Sequence, residues 1–372
     1  MKRLGIDARK LADYGIGTYL QGLLGGLAAR DLEGEVVVMV APEGRGLLPA
    51  LPPSWRVVKV EAPGYSLKEQ LLVPLAAVRA GVGVLHVPHY VIPLLYPGRL
   101  VVTVHDIIHV LFPEFLPSRL GLTYARVMIR RAVRRARWVI AASQTTAGDL
   151  KRFFGASADR LKVIPNGVLE VFTAPADAAA EGARRARLGV ERDYILHVGN
   201  HKPHKNAEGV LKAYQMLAHE KRGEVPPMLF VGGFEPDGEL ANRARAMGLG
   251  SLVRCLGYVA HDELAALYRG ARCFVYPTLY EGFGLPVLEA MASGTPVLGG
   301  DVAAVREVAG DAILRVNPRD TVALAAAMRR LVEEEELCAQ LAEKGRKRAQ
   351  AYRWDVAAAA TAALYEAVRK ER

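Results

Sequence analysis

The chain has 372 residues, with 49 Lys and Arg against 39 Asp and Glu, a formal net charge of +10. That length exceeds what one hydrophobic core usually serves, and a 51% hydrophobic share with 24% charged residues excludes a disordered or collagen-like chain. The basic balance favours an anionic partner (nucleotide, nucleic acid or acidic lipid) without choosing among them. Three scattered cysteines, Cys255, Cys273 and Cys338, lack the paired spacing of a disulfide framework or a Cys-based zinc site, which points to a reducing, cytoplasmic setting. The opening MKRLGIDARKL has no long apolar stretch of the export-signal kind. No run of about 18 uncharged apolar residues suited to crossing a bilayer occurs either.

In chain order, β-rich runs alternate with helical ones. The first half offers strands at Arg3–Ile6, Glu35–Val40, Arg56–Val60, Val84–His86, Leu100–Val104, Trp138–Ala142 and Leu161–Ile164. Helical periodicity separates them, as at Gly17–Ala29 and at Ser66–Ala80, where Pro74 predicts a kink. The pattern restarts at Tyr194–Val198, Met228–Val231, Val253–Leu256, Cys273–Val275, Pro296–Leu298 and Ala312–Leu314. This grammar predicts α/β architecture: parallel sheets with helices on both faces. The division expected is an N-terminal domain over 1–172, a linker over 173–193, a second domain over 194–353 and a final helix over 354–372. Two such domains facing each other leave a cleft at the carboxyl ends of their strands, where these folds take ligands. The acidic run Glu333–Glu336 reads as a solvated helix face.

The richest segment runs from Tyr276 to Val297, YPTLYEGFGLPVLEAMASGTPV. A strand ends, a loop carries Glu281, Gly282 and Gly284, and Pro286 opens a helix that runs through Glu289 to Ala292. Proline suits a first helical turn. The glycines let backbone amides approach a ligand closely, and the helix start adds partial positive charge, so the block reads as a phosphate cradle. Its bland alternative is a Gly/Pro turn between strand and helix. Lys205, in a polar loop after Tyr194–Val198, suits a diphosphate as a point charge or stands as an exposed loop lysine. Gly15 and Gly17 precede a helix expected to start near Thr18, either as a plain N-terminal turn or as backbone passing close under a sugar-phosphate. The pair His105-Asp106 is expected at the sheet's carboxyl edge.

The Glu281-x7-Glu289 block resembles the signature of retaining glycosyltransferases of family 4 (group 1), which have the GT-B fold of two doubly wound Rossmann-like domains. The resemblance extends over most of the chain: Tyr14-Gly-Ile-Gly-Thr-Tyr19, Val101-Val-Thr-Val-His-Asp106, Val163-Ile-Pro-Asn-Gly-Val168, and Tyr194 to Asn206. It implies that Glu281 contacts donor-sugar hydroxyls, Glu289 the ribose, His105 the sugar, and Lys205 the diphosphate. Gly15, Gly17, Asn200, His204, Gly282, Phe283, Gly284 and Leu285 complete the donor site it implies. Tyr19, His86, His89 and Asp106 fall on the acceptor side, with His86 and His89 alternatively ending a strand; His109 and Glu114 are secondary candidates. The family's usual phosphate-binding arginine after the strand glycine is here Asn200, with His201, Lys202 and His204 as nearby substitutes. The final helix is expected to cross back to the first domain. The PNGV, HVPHY and VHD segments resemble the bacterial mannosyltransferases of O-antigen-type polysaccharide assembly. They imply GDP-mannose as donor, with UDP- and ADP-sugars open, and a saccharide or lipid-linked acceptor.

The resemblance implies no cofactor and no metal. The spacing of His86, His89, His105 and His109 could serve a zinc site, but neither an HExxH pattern nor a cysteine accompanies them. A sugar-nucleotide epimerase of the same architecture is one rival. A nucleic-acid-binding protein is another, suggested by charge alone and lacking any reading module. The arginine-rich stretch Arg126–Arg137 sets Arg126, Arg130, Arg134 and Arg137 within about 80°. Met128, Ile129, Ala132 and Ala136 lie opposite. It is either the outer face of a sheet-packed helix or a docking stripe for anionic lipid at the inner face of the membrane.

Overall fold

Every strand expected from the sequence is present within about two residues at each end. The computed structural model of the chain describes all residues but Met1, Asp31, Glu33, Pro117, Arg192 and Arg372. It divides the chain into one unit of Met1–Gly167 with Tyr352–Arg372 and another of Val168–Ala351.

The first unit is built on seven parallel strands: β1 (Arg3–Asp7), β2 (Val36–Val40), β3 (Arg56–Lys59), β4 (Val82–Val87), β5 (Arg99–Val104), β6 (Trp138–Ala141) and β7 (Leu161–Val163), in the order β3-β2-β1-β4-β5-β6-β7. The β2 run VVVMV is buried throughout, the near-continuous apolar pattern of a parallel strand covered on both faces. The first helix spans Tyr14–Ala28, so Gly15 and Gly17 lie inside its first turn rather than before it. The Gly17 amide donates to the Asp13 carbonyl at 2.5 Å, and a Cβ on Gly17 would stand 2.3 Å from the Leu11 carbonyl oxygen. Close approach to the preceding turn, not an open loop, is what demands glycine there.

The helix Trp354–Lys370 returns to this unit and packs along Tyr14–Ala28. Trp354 occupies space left by glycines: a Cβ on Gly22 would come within 2.0 Å of its indole, and one on Gly167 within 2.3 Å of its amide nitrogen. Arg99 donates to the carbonyls of Val368 and Glu371, each at 2.6 Å. The helix Leu67–Arg79 contains Pro74 and starts on Ser66, whose hydroxyl accepts from the Glu69 amide. On the helix Arg119–Arg135, Met128, Ile129 and Ala132 are buried and Arg126, Arg130 and Arg134 are exposed. Arg137 lies past the helix end, paired with Glu371 at 2.6 Å.

The second unit holds β8 (Ile195–Gly199), β9 (Met228–Gly232), β10 (Val253–Cys255), β11 (Cys273–Tyr276), β12 (Val297–Gly300) and β13 (Leu314–Val316). All are parallel, in the order β10-β9-β8-β11-β12-β13. Within the stretch 173–193, residues Ala178–Arg187 form a helix that packs against His261–Gly270. The acidic run Glu333–Glu336 does not share one helix face. It straddles the junction where Thr321–Glu333 ends and Glu335–Ala349 begins, where acids favour the start of the second helix. Among the described residues, no helix is long and apolar enough to cross a membrane.

Candidate functional site

Both sheets carry the doubly wound order, which reverses direction beside the first strand of each. Ligands in such sheets gather outside the strands' carboxyl ends at that reversal. In the second unit the reversal lies between β8 and β11. The chain leaving β8 turns through the short 3-10 segment Pro203–Lys205, and the chain leaving β11 enters the loop 277–284. Asn206 fastens these two loops. It sits in the left-handed region (φ 58°), and its Nδ2 donates to the carbonyls of Pro277 at 3.1 Å and Pro318 at 2.7 Å. The His204 carbonyl accepts from the Leu279 amide at 2.8 Å and lies 2.9 Å from the Thr278 hydroxyl.

The consequence is a tight cluster of Lys205, Tyr276 and Glu281. Lys205 Nζ donates to Glu281 Oε1 at 2.7 Å and to the Tyr276 hydroxyl at 2.6 Å, and that hydroxyl donates onward to Glu281 Oε1 at 2.7 Å. Thr278 Oγ1 stands 3.0 Å from the same oxygen. Burial disfavours a charged Glu281. The Lys205 charge and hydrogen bond, helped by His204 and Tyr276, outweigh it and hold the carboxyl below its ordinary value. Past Glu281, the chain runs through Gly284 (φ 101°) into the helix Leu285–Ala292, with Pro286 in its first turn. Gly282, Phe283 and Gly284 are buried.

Glu289 projects from that helix into a different environment. It is 6% exposed, and the Tyr268 hydroxyl reaches its Oε2 at 3.3 Å. Burial pushes its carboxyl up to about 7, with the tyrosine only partly offsetting this. The two glutamates of one motif thus differ electrostatically: one is held ionised by a lysine, the other is poised to lose its proton near neutrality. Asn200 Oδ1 accepts from the Lys202 amide at 3.1 Å, His201 makes an edge contact with Phe234 (5.0 Å between rings), and His204 is buried.

In the first unit the reversal lies between β1 and β4. His105 follows β5, and its Nε2 lies 3.0 Å from the Pro88 carbonyl, which makes Nε2 the donor and Nδ1 the ring's acceptor. Burial lowers its basicity, against the opposing effects of Asp106 and the Pro88 carbonyl. Its own carbonyl accepts from Thr146 Oγ1 at 3.0 Å. Asp106 Oδ1 accepts from the Ile108 amide at 3.0 Å. His89 Nδ1 accepts from the Val91 amide at 3.1 Å, and its Nε2 lies 3.3 Å from the Tyr65 hydroxyl. His109 lies in the short helix Ile108–Leu111, and Glu114 is exposed in the turn beyond it.

Two residues expected on the acceptor side, Tyr19 and His86, have a place in the packing of this unit instead of an open surface. His86 is fully buried, with Nδ1 2.6 Å from the Tyr365 hydroxyl and Nε2 2.8 Å from Thr103 Oγ1. Thr103 Oγ1 also meets the Tyr19 hydroxyl at 2.9 Å, and the Tyr19 ring touches His105 edge-on. This chain of contacts joins the C-terminal helix to His105. Among the described residues, no three His, Cys, Asp or Glu side chains converge as metal ligands.

Sequence reasoning assigned no role to Tyr276, Thr278, Asn206 or Tyr268. Tyr276 alone carried a usable signal, as a phenol at the carboxyl end of the strand that feeds the two-glutamate motif.

Known family profiles cover most of both units. Residues 14–169 match the family profile "Glycosyltransferase Family 4", and residues 182–348 match "Glycosyl transferases group 1". The chain is 31% identical over 273 residues to O-antigen chain mannosyltransferase B of Escherichia coli, covering 73% of this chain and 70% of that one. It is 32% identical over 243 residues to MMP alpha-(1->4)-mannosyltransferase of Mycolicibacterium hassiacum, covering 64% and 56%. Among solved structures, sucrose-phosphate synthase from Thermosynechococcus elongatus aligns over 99% of each chain, with a TM-score of 0.81 at 22% identity. The chain has the GT-B fold and belongs to the family 4, group 1 glycosyltransferases.

Proposed function

We propose that the chain is a retaining, metal-independent mannosyltransferase that moves a mannosyl group from GDP-mannose to a hydroxyl of a saccharide or lipid-linked saccharide. Its setting is cell-envelope polysaccharide assembly at the cytoplasmic face of the membrane. The mannosyl reading draws on relatives named as mannosyltransferases at 31% and 32% identity. The observation that carries the site is the Lys205–Tyr276–Glu281 cluster beside a glycine-led helix start, at the reversal point of the second sheet. A diphosphate arriving there competes with Glu281 for the lysine. Binding therefore places cation and helix start against the phosphates and frees the carboxylate to accept from sugar hydroxyls. Glu289 accepts from the ribose, and His105 Nδ1 from the sugar.

The chemical step breaks the bond between the anomeric carbon and the phosphate oxygen and forms one to the acceptor oxygen on the same face. The departing phosphate takes the acceptor proton. The main demand is stabilising charge on the diphosphate as it leaves, which fixed donors in a site of low polarity do well. The test is a transfer assay with GDP-mannose, UDP-glucose and a mannoside acceptor, with and without a chelator, and product configuration read by NMR. Retained configuration, preference for GDP-mannose and indifference to the chelator are expected. An inverted product, or donor turnover without acceptor as in an epimerase, overturns the proposal.

The Glu289 environment gives a pH signature. Burial makes the carboxyl, normally near 4.5, hold its proton up to about 7. The fold therefore loses stability as pH climbs through that window. A ribose diol donates to the ionised form, so GDP should bind about tenfold more tightly at pH 8 than at pH 6. Calorimetry on the wild type and Glu289→Gln checks this, since the variant keeps the phosphate's own titration and drops the carboxyl's. Parallel pH profiles would remove Glu289 from the ribose site.

A further inference from the structure

The helix Leu67–Arg79 presents a second apolar face to solvent. Leu67, Leu71, Leu75 and Val78 recur at spacings of four, four and three, within about 80° on the helix, and all four are exposed, Leu67 at 85%. The core side of the same helix carries Val73, Ala77 and the buried Glu69, which pairs with Arg9 at 2.7 Å. Two neighbouring segments continue the outward apolar strip. The Gln70 side chain accepts from the Leu94 amide at 2.8 Å, which sets the exposed Leu94-Leu95 tip beside the helix. Arg135 donates to the carbonyls of Leu94 and Tyr96, which brings in the helix Arg119–Arg135. There Leu120 (82% exposed), Tyr124 and Val127 also face outward, and Tyr124 meets the exposed Tyr65 with ring centroids 6.4 Å apart.

The exposed charges of these three segments have one sign. Arg126, Arg130 and Arg134 are exposed along one flank of the Leu120–Val127 strip, and Lys68 and Arg79 lie on the leucine helix. Glu69, buried and paired, is the sole carboxylate in 65–80, 91–98 and 119–135. A contiguous exposed apolar surface of this kind marks an interaction site rather than ordinary solvent-facing packing. Cations rimming leucines and interfacial tyrosines match the boundary between anionic headgroups and acyl chains. A second copy docked on the same face would set arginine against arginine, a like-charge arrangement that disfavours self-association.

We infer that the face formed by the helix Leu67–Arg79, the Leu94-Leu95 tip and the helix Arg119–Arg135 docks the chain on an anionic lipid bilayer. The leucines enter the headgroup boundary and the arginines meet lipid phosphates. Arg137 is excluded from the contact set because Glu371 holds it. The inference goes beyond the donor chemistry and does not depend on it.

Co-sedimentation with vesicles of neutral phosphatidylcholine, or with about a third phosphatidylglycerol, tests it. Partition onto the anionic vesicles should exceed that onto neutral ones at least about tenfold and fall with added salt, since each arginine near such a surface contributes roughly fivefold. Leu71→Ser/Leu75→Ser and Arg126→Glu/Arg130→Glu should each lower binding about tenfold or more. Both should keep wild-type circular dichroism and affinity for GDP. Equal, weak binding to both vesicle types overturns the inference. So does binding that the leucine variant leaves intact, or a solution dimer that the leucine variant splits.

Discussion

Replacing Glu281 by glutamine is expected to lower sugar transfer by about 10²–10³-fold while leaving the protein folded. Glu281 Oε1 gathers Lys205 and Tyr276, with Thr278 at 3.0 Å. An amide of the same shape brings no charge and offers a single acceptor oxygen to that crowd of donors. In the proposed reaction the carboxylate both balances the lysine before donor binding and orients sugar hydroxyls afterwards. The loss should therefore fall mainly on turnover, with a smaller change in the apparent affinity for donor. Steady-state kinetics with a thermal melt as folding control makes the check. Near wild-type turnover in a folded variant would move the sugar contact to another residue.

Lys205→Ala should act on stability and ligand binding together. Removing the cation leaves Glu281 enclosed with its hydroxyl donors but no countercharge, and breaking such a pair costs about 3 kcal/mol, since both side chains keep some exposure, 16% and 11%. GDP binding should weaken by about 1.5–3 kcal/mol through the lost charged hydrogen bond. The sign with pH follows from the Glu281 carboxyl, held below its ordinary value of 4.5 in the wild type. Its stabilising contribution is present above that value and fades as pH falls through the lower folded value. In the alanine variant burial acts unopposed by the lysine, so the stability gap between the two proteins should narrow on acidification below pH 4.5. The double variant Lys205→Ala/Glu281→Gln should recover much of the lost stability without recovering transfer. Denaturation midpoints across pH measure the first effect and calorimetry the second.

The strands were legible because parallel strands covered on both faces are written as short unbroken apolar runs, of which Val36–Val40 is the plainest. The onset of the first helix was less so. Gly15 and Gly17 read as a loop, whereas helix geometry from Tyr14 requires Gly17 to slip past the Leu11 carbonyl. Glu281 and Glu289 stood out through the glycines and proline around them. Tyr276, Asn206 and Tyr268 did not, because their roles arise from hydrogen bonds between segments 21 to 112 residues apart. His86 could not be read as buried, since a histidine at a strand end looks the same whether it meets solvent or the Tyr365 hydroxyl. The leucine helix was equally opaque. Apolar residues surround Leu67–Arg79 on most sides, so periodicity predicts a helix without saying which side faces out.

The central claim is that Lys205 and the helix start at Gly284–Leu285, at the reversal point between β8 and β11, take the donor diphosphate. A crystal structure with bound GDP tests it most directly. The account predicts the diphosphate against the helix start at Gly284–Leu285, Lys205 Nζ turned from Glu281 Oε1 towards a phosphate oxygen, and the ribose hydroxyls on Glu289. A diphosphate held elsewhere, with the Lys205–Glu281 pair still closed at 2.7 Å, would contradict it.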